Sequence, residues 1–419
     1  MTRPYRTPVG PMSLEPPPAH GRGCGRERNC SCAGHVRADR GLSPIASCGE
    51  CLPRAHPLFA PADRPPQRRT APQGAAVTAA VTVRGRVRLV LAVLILALVP
   101  TTPTLVAPTP ADAADTQSAQ RDAGRRGAEV VAVTQVAERQ VDLSVRSTAL
   151  GGRTVKVRLL TPDGWNPADR RQHWPTFWLL HGCCGDYTSW TAMTDVAETD
   201  SLRNVLVVMP EAGWNGWYSD WWNYGEGGDP AWETFHTVEL RHLLERDWGA
   251  GRNRVVAGLS MGGQGALLYA ARHPGMFKAT AAYSGSAHPL LNDESVNRIL
   301  GLFAGQGNDP LRVWGDPVAQ RRVWRAHDPF HLAKRLKSMP VYLSCGDGTA
   351  GPLDTPGAVS ALEADFNRQN HALAAELKRV GAKHLTTHFY GAGTHTWRYW
   401  ERELHASLPM LLGALGVKG

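Results

Sequence analysis

The sequence predicts an α/β fold, in which helices cover both faces of a mostly parallel central sheet. From about residue 130 onward, short apolar segments alternate with longer stretches of helical character, which is the rhythm of parallel strands joined by helices. A glycine-rich turn near residue 260 also joins a predicted strand directly to a predicted helix. The predicted strands are 141–145, 154–160, 176–180, 205–209, 254–257, 280–284, 341–344 and 386–390. The main predicted helices are 234–247, 265–272 and 367–380.

The turn near residue 260 has the pattern of a nucleophile elbow. Residues 257–266 read AGLSMGGQGA, which contains GxSxG around Ser260. In an elbow, a strained turn between strand and helix exposes the serine hydroxyl, and Gly258 and Gly262 let neighbouring backbone pass close to it. A glycine-rich turn without chemistry is the alternative, and the flanking strand and helix favour the elbow. The sequence therefore predicts Ser260 as a nucleophile.

The loop after the third predicted strand has the pattern of an oxyanion hole. Residues 181–185 read HGCCG. In α/β-hydrolases an HG loop at this place supplies one backbone N–H, and the residue after the nucleophile supplies a second one. We therefore expect the N–H groups of Cys183 and Met261 to stabilise negative charge on an acyl carbonyl oxygen. Alone, the same segment would indicate a tight turn with a cysteine pair.

A catalytic base is predicted near the end of the chain. His395 lies in a glycine-rich loop after the last predicted strand, and the order serine, acid, histidine puts the base last. For the acid, Asp347 follows the seventh predicted strand, at the usual position in hydrolases. Asp354, Glu363 and Asp365 compete with it, since a loop of variable length lies between strand and histidine.

In order along the chain, these motifs resemble those of the antigen-85 type mycolyltransferases of mycobacteria and their wider esterase family, which includes esterase-D-like enzymes. The similarity is collinear from about residue 141 to 412, in LLHGCCG, VLVVMPEAG, YSDWW, WETFHTVEL, GLSMGG, HDP, CGDGT and GTHTWRYW. The resemblance implies an α/β-hydrolase fold, with Ser260 as nucleophile, His395 as base and Glu363 as acid. Asp365 stays an alternative, because one residue of insertion or deletion shifts the alignment.

Differences from the mycolyltransferases bear on the substrate. Where that family has an aspartate and an arginine beside the oxyanion amide, this chain has His181 and Cys184, and we expect both to contact the substrate. Trp397 matches the family's tryptophan beside the sugar site. The family's cysteine pair after its FYxDW segment is missing at 223–228. The predicted substrate is therefore an acyl ester, either a small molecule or a lipid or glycolipid, with mycolyltransferase-like transfer to trehalose as an alternative.

Two further segments are predicted to shape the cleft. Tryptophans cluster between Trp214 and Trp232, either as a platform for sugar or acyl chains or as core walls beneath a long loop. Asp220 in this segment is either a structural hydrogen-bond acceptor or a substrate contact. The stretch 286–323 is predicted to be a long irregular insertion that forms a lid or an acyl-chain wall.

The N-terminal part of the chain predicts export. Three arginines, at 84, 86 and 88, precede an apolar run at 89–99, and ADAA at 111–114 offers a cleavage site. The apolar run is shorter than the roughly 20 residues that a membrane span needs. The predicted organisation is an Arg/Pro-rich leader at 1–83, a signal peptide at 84–114, a linker at 115–130 and a catalytic domain at 131–419. Because signals begin near the N-terminus, we expect the start codon near residues 81–83, with a disordered leader as the alternative.

The charge of the chain belongs to this leader. Residues 1–88 hold 14 arginines and 5 acidic residues, a net charge of +9 that equals the value for the entire chain. The remainder is near neutral, so no nucleic-acid or anionic-membrane partner is expected.

Eight cysteines divide between leader and catalytic domain. The spacing of those in the leader fits no familiar zinc site. These five are Cys24, Cys30, Cys32, Cys48 and Cys51. The others are Cys183, Cys184 and Cys345, and the sequence leaves their pairing open, although adjacent cysteines rarely form a disulfide because the ring is strained.

Three classes of function fit the motifs. The leading one is a secreted or cell-wall serine esterase or acyltransferase that works through an acyl-enzyme, in association with the cell envelope. A peptidase and a non-catalytic wall-binding protein of the same fold are the alternatives. The intact serine, histidine and oxyanion loop favour the enzyme. No metal, nucleotide or flavin motif is present, so no cofactor is expected, and the oligomeric state is left open.

Overall fold

The structure, a computed structural model, describes residues 127–169 and 171–417. The predicted leader and signal peptide, most of the predicted linker and the five leader cysteines lie outside these residues. The strands of the described part are β1 (Ala128–Ala137), β2 (Gln140–Ser147), β3 (Thr154–Leu160), β4 (Trp174–Leu180), β5 (Leu206–Pro210), β6 (Ala250–Leu259), β7 (Thr280–Tyr283), β8 (Val341–Cys345) and β9 (Leu385–Phe389).

These strands form one mixed sheet in the order β1-β2-β3-β5-β4-β6-β7-β8-β9. Pairing is antiparallel from β1 to β5 and parallel from β5 through β9. In the register of β4 and β6, Leu180 lies opposite Gly258. The loop after β4 and the turn after β6 therefore start at the same edge of the sheet. The predicted α/β-hydrolase fold with a mostly parallel sheet is confirmed.

Helices follow most of the parallel strands. They are α1 (Ser189–Met193), α2 (Trp232–Thr234), α3 (Arg241–Asp247), α4 (Met261–Arg272), α5 (Asp293–Phe303), α6 (Leu311–Trp314), α7 (Arg321–Ala326), α8 (Pro329–Leu336), α9 (Ala361–Arg379) and α10 (Trp397–Leu415). A π-helical stretch, Phe235–Leu240, joins α2 to α3. In the described part of the chain, no helix combines the length and the apolar character needed to cross a membrane.

The sheet has a separate apolar core on each face. Successive residues of β4 alternate between the two cores, because side chains of a strand point to opposite faces in turn. Phe177 and Leu179 lie in one core, together with Leu404 and Leu411 of α10. Trp178 lies in the second core, on the face of the sheet that α4 covers. The edge of the sheet from which the loops after β4 and β6 start thus lies between two packed layers.

Both cleft-shaping segments differ from a simple loop. Trp217, Trp221 and Trp232 are buried in the core, which favours the reading of this cluster as core walls. Asp220 accepts hydrogen bonds from the backbone N–H and the hydroxyl of Thr234, at 2.9 and 2.6 Å, so it stabilises α2. The stretch 286–323 was expected to be irregular, but it contains α5 and α6 and begins α7, because its apolar residues recur at helical spacing.

Candidate active site

Ser260 occupies a strained turn between β6 and α4. Its φ of 52° and ψ of −120° lie outside the regions that ordinary residues prefer. A Cβ atom on Gly258 would lie 2.4 Å from the carbonyl oxygen of Gly262, and one on Gly262 would lie 2.4 Å from that of His181. Only glycine fits at either position, since such contacts do not occur between real atoms. The GxSxG pattern therefore has a steric cause in this turn.

The loop after β4 is held in place by backbone hydrogen bonds. Cys184 N–H donates to the carbonyl oxygen of Trp214 at 3.0 Å, and Gly185 N–H donates to that of Gly182 at 3.3 Å. Within the described residues, nothing accepts a hydrogen bond from the N–H groups of Cys183 or Met261. Both are thus unused donors, which is what an oxyanion hole requires.

His181 does not face the cleft. Its side chain is 1% exposed. Ring atom Nδ1 donates to the carbonyl oxygen of Gly182 at 2.8 Å, and Nε2 accepts from the N–H of Ala212 at 3.0 Å. Burial lowers the pKa of this imidazole and favours the neutral ring. The structure therefore gives His181 a role in fixing the loop, in place of the substrate contact that the sequence analysis expects.

Glu363 and His395 form a buried pair beside the turn. Oε2 of Glu363 lies 2.6 Å from Nδ1 of His395, and the carboxylate is fully buried. The other oxygen, Oε1, accepts hydrogen bonds at 2.8 Å from the hydroxyl of Ser284 and from the N–H of Gly346. These two donors occupy Oε1, so the carboxylate contacts the imidazole through Oε2.

The loop that carries His395 is fixed by Asp354. This carboxylate accepts hydrogen bonds from the N–H and hydroxyl of Thr394 and, at 2.8 Å, from the hydroxyl of Tyr399. Although partial burial opposes ionisation, these hydrogen bonds hold the pKa of Asp354 below its ordinary value. The ring of Trp400 stands edge-on to the imidazole, with centroids 4.8 Å apart. The orientation of His395 is therefore set by packing as well as by Glu363.

The other predicted acids lie in separate networks. Asp347 accepts from the N–H and hydroxyl of Thr349, at 2.8 and 2.6 Å, and so forms a turn. Asp365 is buried and bonds to Ser295 at 2.8 Å and to a neighbouring arginine, Arg368, at 2.9 Å. The structure thus brings Glu363, and neither aspartate, to His395.

Ser260 and His395 line one cleft of about 450 Å³. In the described part of the chain, no hydrogen bond joins the Ser260 hydroxyl to the imidazole. Cys184 and Trp397, which the sequence predicts to contact the substrate, also line the cleft, and so does Cys183. The remaining wall is largely apolar and includes Leu302, from the C-terminal end of α5.

Sequence reasoning missed the residues that hold the acid. Ser284, directly after β7, and Tyr390, directly after β9, donate to Oε1 of Glu363, and Cys345 contacts it at 3.2 Å. No local pattern marks these residues. One local signal was available: Ser360 and Glu363 have the Ser-x-x-Glu spacing of a capping box, which indicates the start of a helix.

A second cluster of polar side chains lies apart from Ser260 and His395. Among the described residues, His288, Asp328 and His331 place their ligand atoms within 4.8 Å of one another, a spacing that suits a metal ion. Asp328 already accepts from Nδ1 of His288 at 2.8 Å and from the N–H of Phe330 at 2.9 Å, and so caps α8. These contacts give the cluster a structural role.

Comparisons with known proteins agree with this geometry. A family model described as Putative esterase matches residues 147–411. The diacylglycerol acyltransferase/mycolyltransferase Ag85A of Mycobacterium ulcerans is 31% identical over 294 residues, which cover 66% of this chain and 81% of that protein. The Ag85B protein of Mycolicibacterium smegmatis, of the same description, is 32% identical over 249 residues, 55% of this chain and 74% of that protein.

Solved structures share the fold at lower identity. Mycobacterium tuberculosis MPT51 superposes with a TM-score of 0.54 at 22% identity, over 69% of this chain and 98% of that one. The fluorophosphonate-binding serine hydrolase F of Staphylococcus aureus superposes with a TM-score of 0.52 at 16% identity, over 65% of this chain and 98% of that one. These similarities establish the architecture of the sheet and its helices.

Proposed function

The chain belongs to the Putative esterase family and is of the antigen-85 type, and from this premise we propose that it is a serine esterase or acyltransferase with a Ser260–His395–Glu363 triad. The family makes the chain an enzyme of acyl-ester hydrolysis or transfer. One observation carries the assignment of residues. A strained serine, a histidine paired with a buried carboxylate and Cys183, whose N–H is unused, line one cleft.

The proposed mechanism follows from these positions. The Ser260 oxygen attacks the acyl carbonyl carbon, and Nε2 of His395 accepts the hydroxyl proton. The N–H groups of Cys183 and Met261 stabilise the negative oxygen of the tetrahedral intermediate, an interaction worth about 3–4 kcal/mol per donor in other enzymes. Glu363 holds Nδ1–H and stabilises the imidazolium. The alcohol leaves with the proton from Nε2, and water or an acceptor alcohol then takes the acyl group.

The lining of the cleft supports an acyl ester as substrate. Leu302, Leu362 and Met193 offer apolar surface in the cleft that holds Ser260, and Trp397 lines the same cleft. Apolar surface of this kind suits an acyl chain, because burial of each methylene contributes about 0.8 kcal/mol. We assign Trp397 and Cys184 to substrate contact. The absence of the family's aspartate and arginine from the oxyanion loop argues against trehalose mycolylation.

A non-catalytic wall-binding role is the alternative within the same fold. Such a role would not need the buried Glu363 carboxylate, whose burial carries a desolvation cost. The 2.6 Å contact between the fully buried Glu363 carboxylate and His395 therefore favours a catalytic role.

Export is part of the proposal. The three arginines before the apolar run at 89–99, and the small residues at 111–114, support a cleaved signal. The enzyme would then act outside the cell or in its wall, where lipid and glycolipid esters are available.

Turnover of a short-chain aryl ester tests the proposed function. We expect hydrolysis by the wild-type protein and a loss of about 10⁶-fold in kcat for Ser260→Ala, as with other triad serines. Ser338→Ala is the matched control, because Ser338 is an exposed serine outside the cleft. Equal turnover by wild type and Ser260→Ala would contradict the assignment.

A further inference from the structure

Two adjacent thiols lie in the oxyanion loop. The sulfur atoms of Cys183 and Cys184 are 2.9 Å apart, and neither residue is in a disulfide. Cys184 is exposed, Cys183 is half-buried, and both line the cleft that holds Ser260. We refer to these two residues as the dithiol pair. The proposed mechanism uses the backbone of Cys183 and gives its sulfur no task.

We propose that the dithiol pair is an oxidation site, at which a peroxide joins the two sulfurs in a disulfide and thereby disables the oxyanion hole. The effect on activity rests on the proposed function. The oxidation itself depends only on the thiols.

The two thiols are unequal in a way that suits this chemistry. Either sulfur can donate in the hydrogen bond between the two thiols. With the S–H of Cys183 as the donor, this bond lowers the pKa of the Cys184 thiol to about 7. The same hydrogen bond, together with burial, raises the pKa of the Cys183 thiol well above its ordinary value. A thiolate is the species that reacts with peroxides, and a neighbouring thiol can then resolve the product. Cys184 is thus the attacking sulfur, and Cys183 is the resolving one.

The reaction balances with one peroxide. The Cys184 thiolate attacks one oxygen of hydrogen peroxide, the O–O bond breaks, and hydroxide leaves with the proton that Cys184 had released, as water. The Cys183 sulfur then attacks the resulting sulfenic sulfur, the S–O bond breaks, and hydroxide leaves with the Cys183 proton as a second water. The two thiols lose two electrons, and the peroxide gains two.

The disulfide would distort the peptide that carries the oxyanion donor. Adjacent Cα atoms are about 3.8 Å apart, whereas a disulfide usually joins Cα atoms about 4.4–6.8 Å apart. The loop has little freedom to relax, because the carbonyl of Gly182 accepts from His181 and Gly185 and the N–H of Cys184 is bound to Trp214. The distortion therefore falls on Cys183, whose N–H is the candidate donor. Strained disulfides are readily reduced, so the change is reversible.

Peptide mass and activity, measured together on the full chain, test this inference. The protein is treated with hydrogen peroxide and digested with trypsin after remaining thiols are blocked. We expect peptide 172–203, in which the dithiol pair provides the only cysteines, to appear two hydrogens lighter than its reduced form. Ester turnover should fall on the order of 10²-fold, as after loss of one oxyanion donor. Dithiothreitol should restore both.

Two variants and one internal control complete the test, with each variant compared with its own untreated rate. Cys184→Ser should keep its activity under peroxide, and Cys183→Ser should stop at a sulfenic acid that dimedone traps. Peptide 338–368 should keep a free thiol, because Cys345 is buried and burial raises its pKa. Retention of both thiols in peptide 172–203, or full activity of the oxidised protein, would overturn the proposal. Absence of turnover before treatment would count against the proposed function instead, while the peptide mass still tests the oxidation.

Discussion

At the scale of single residues, Glu363 joins the reaction site to the core. One carboxylate oxygen contacts His395 at 2.6 Å, and the other is held by Ser284 and Gly346. The Glu363 carboxylate, the proposed acid, therefore reaches the imidazole in a fixed orientation. A triad acid of this kind sets the tautomer of the histidine and stabilises its charged form.

Replacement of this carboxylate should impair the chemistry more than binding. We expect Glu363→Gln to lower kcat on the order of 10²–10⁴-fold, because the amide neither orients Nδ1–H correctly nor stabilises the imidazolium. Asp347→Asn is the matched control and should stay near wild type, since Asp347 only forms its own turn. Aryl-ester kinetics, with circular dichroism to verify folding, measure both. A severe loss in Asp347→Asn with a near-normal Glu363→Gln would assign the acid to Asp347.

The sequence indicates some candidate site residues more directly than others. Ser260 and His395 lie in local glycine-rich patterns, so their neighbourhood in the chain already indicates their position. The acid is different, because four candidates follow β8 and only the fold decides which one contacts the histidine. His181 shows the same limit: the sequence indicates the loop but not that this ring points into the core.

At the scale of elements, the start of α9 positions the acid. The Ser360 hydroxyl accepts from the N–H of Glu363 at 3.1 Å and so caps the helix. In a capping box the glutamate would return to the N–H of Ser360. Here that N–H is bound to the carbonyl oxygen of Gly348 at 2.8 Å, which leaves the Glu363 carboxylate free to meet the histidine.

Removal of this cap should affect both stability and activity. We expect Ser360→Ala to lower the free energy of unfolding by about 0.5–2 kcal/mol, the usual value of a helix cap, and to lower kcat because Glu363 loses its support. Asn292→Ala is the matched control, since Asn292 caps α5 in the same way, through the N–H of Ser295, at the helix end away from the cleft. Denaturant titration should show similar losses of stability in both variants, and only Ser360→Ala should be slower. Equal kcat values for Ser360→Ala and Asn292→Ala would show that the Ser360 cap does not support the Glu363 carboxylate.

Element prediction succeeded where apolar runs are buried. All eight predicted strands occur with small shifts at their ends; β2 to β8 contain buried residues, whereas β9 is mostly exposed. Strand β1 was missed, although four of its ten residues are valines; most of its residues are exposed at the edge of the sheet. Helix α10 was also missed, although its buried apolar residues form part of the core on one face of the sheet.

At the scale of the whole molecule, the parallel half of the sheet gathers the site. In the proposed site, the oxyanion loop follows β4, the nucleophile follows β6, the acid follows β8 and the base follows β9. Segments far apart in the sequence therefore meet at one edge, as in other α/β enzymes. The rhythm of strands and helices predicted this arrangement, whereas the distances between side chains required the structure.

The proposed signal also belongs to this scale. If residues 84–114 direct export, an exporting host should release a protein whose N-terminus lies near Asp115. Mass spectrometry of the secreted product measures this directly. Replacement of the apolar run at 89–99 by polar residues should abolish release. A released product that retains the run at 89–99 would contradict cleavage of the signal.

The most direct test of the catalytic claim is to find the acyl group on the chain. The protein is mixed with an aryl ester, quenched in acid during turnover and digested with trypsin. The account predicts an acyl group on peptide 255–272, in which Ser260 is the only serine, and none on this peptide in Ser260→Ala. An acyl group on another peptide, or turnover by Ser260→Ala, would contradict it.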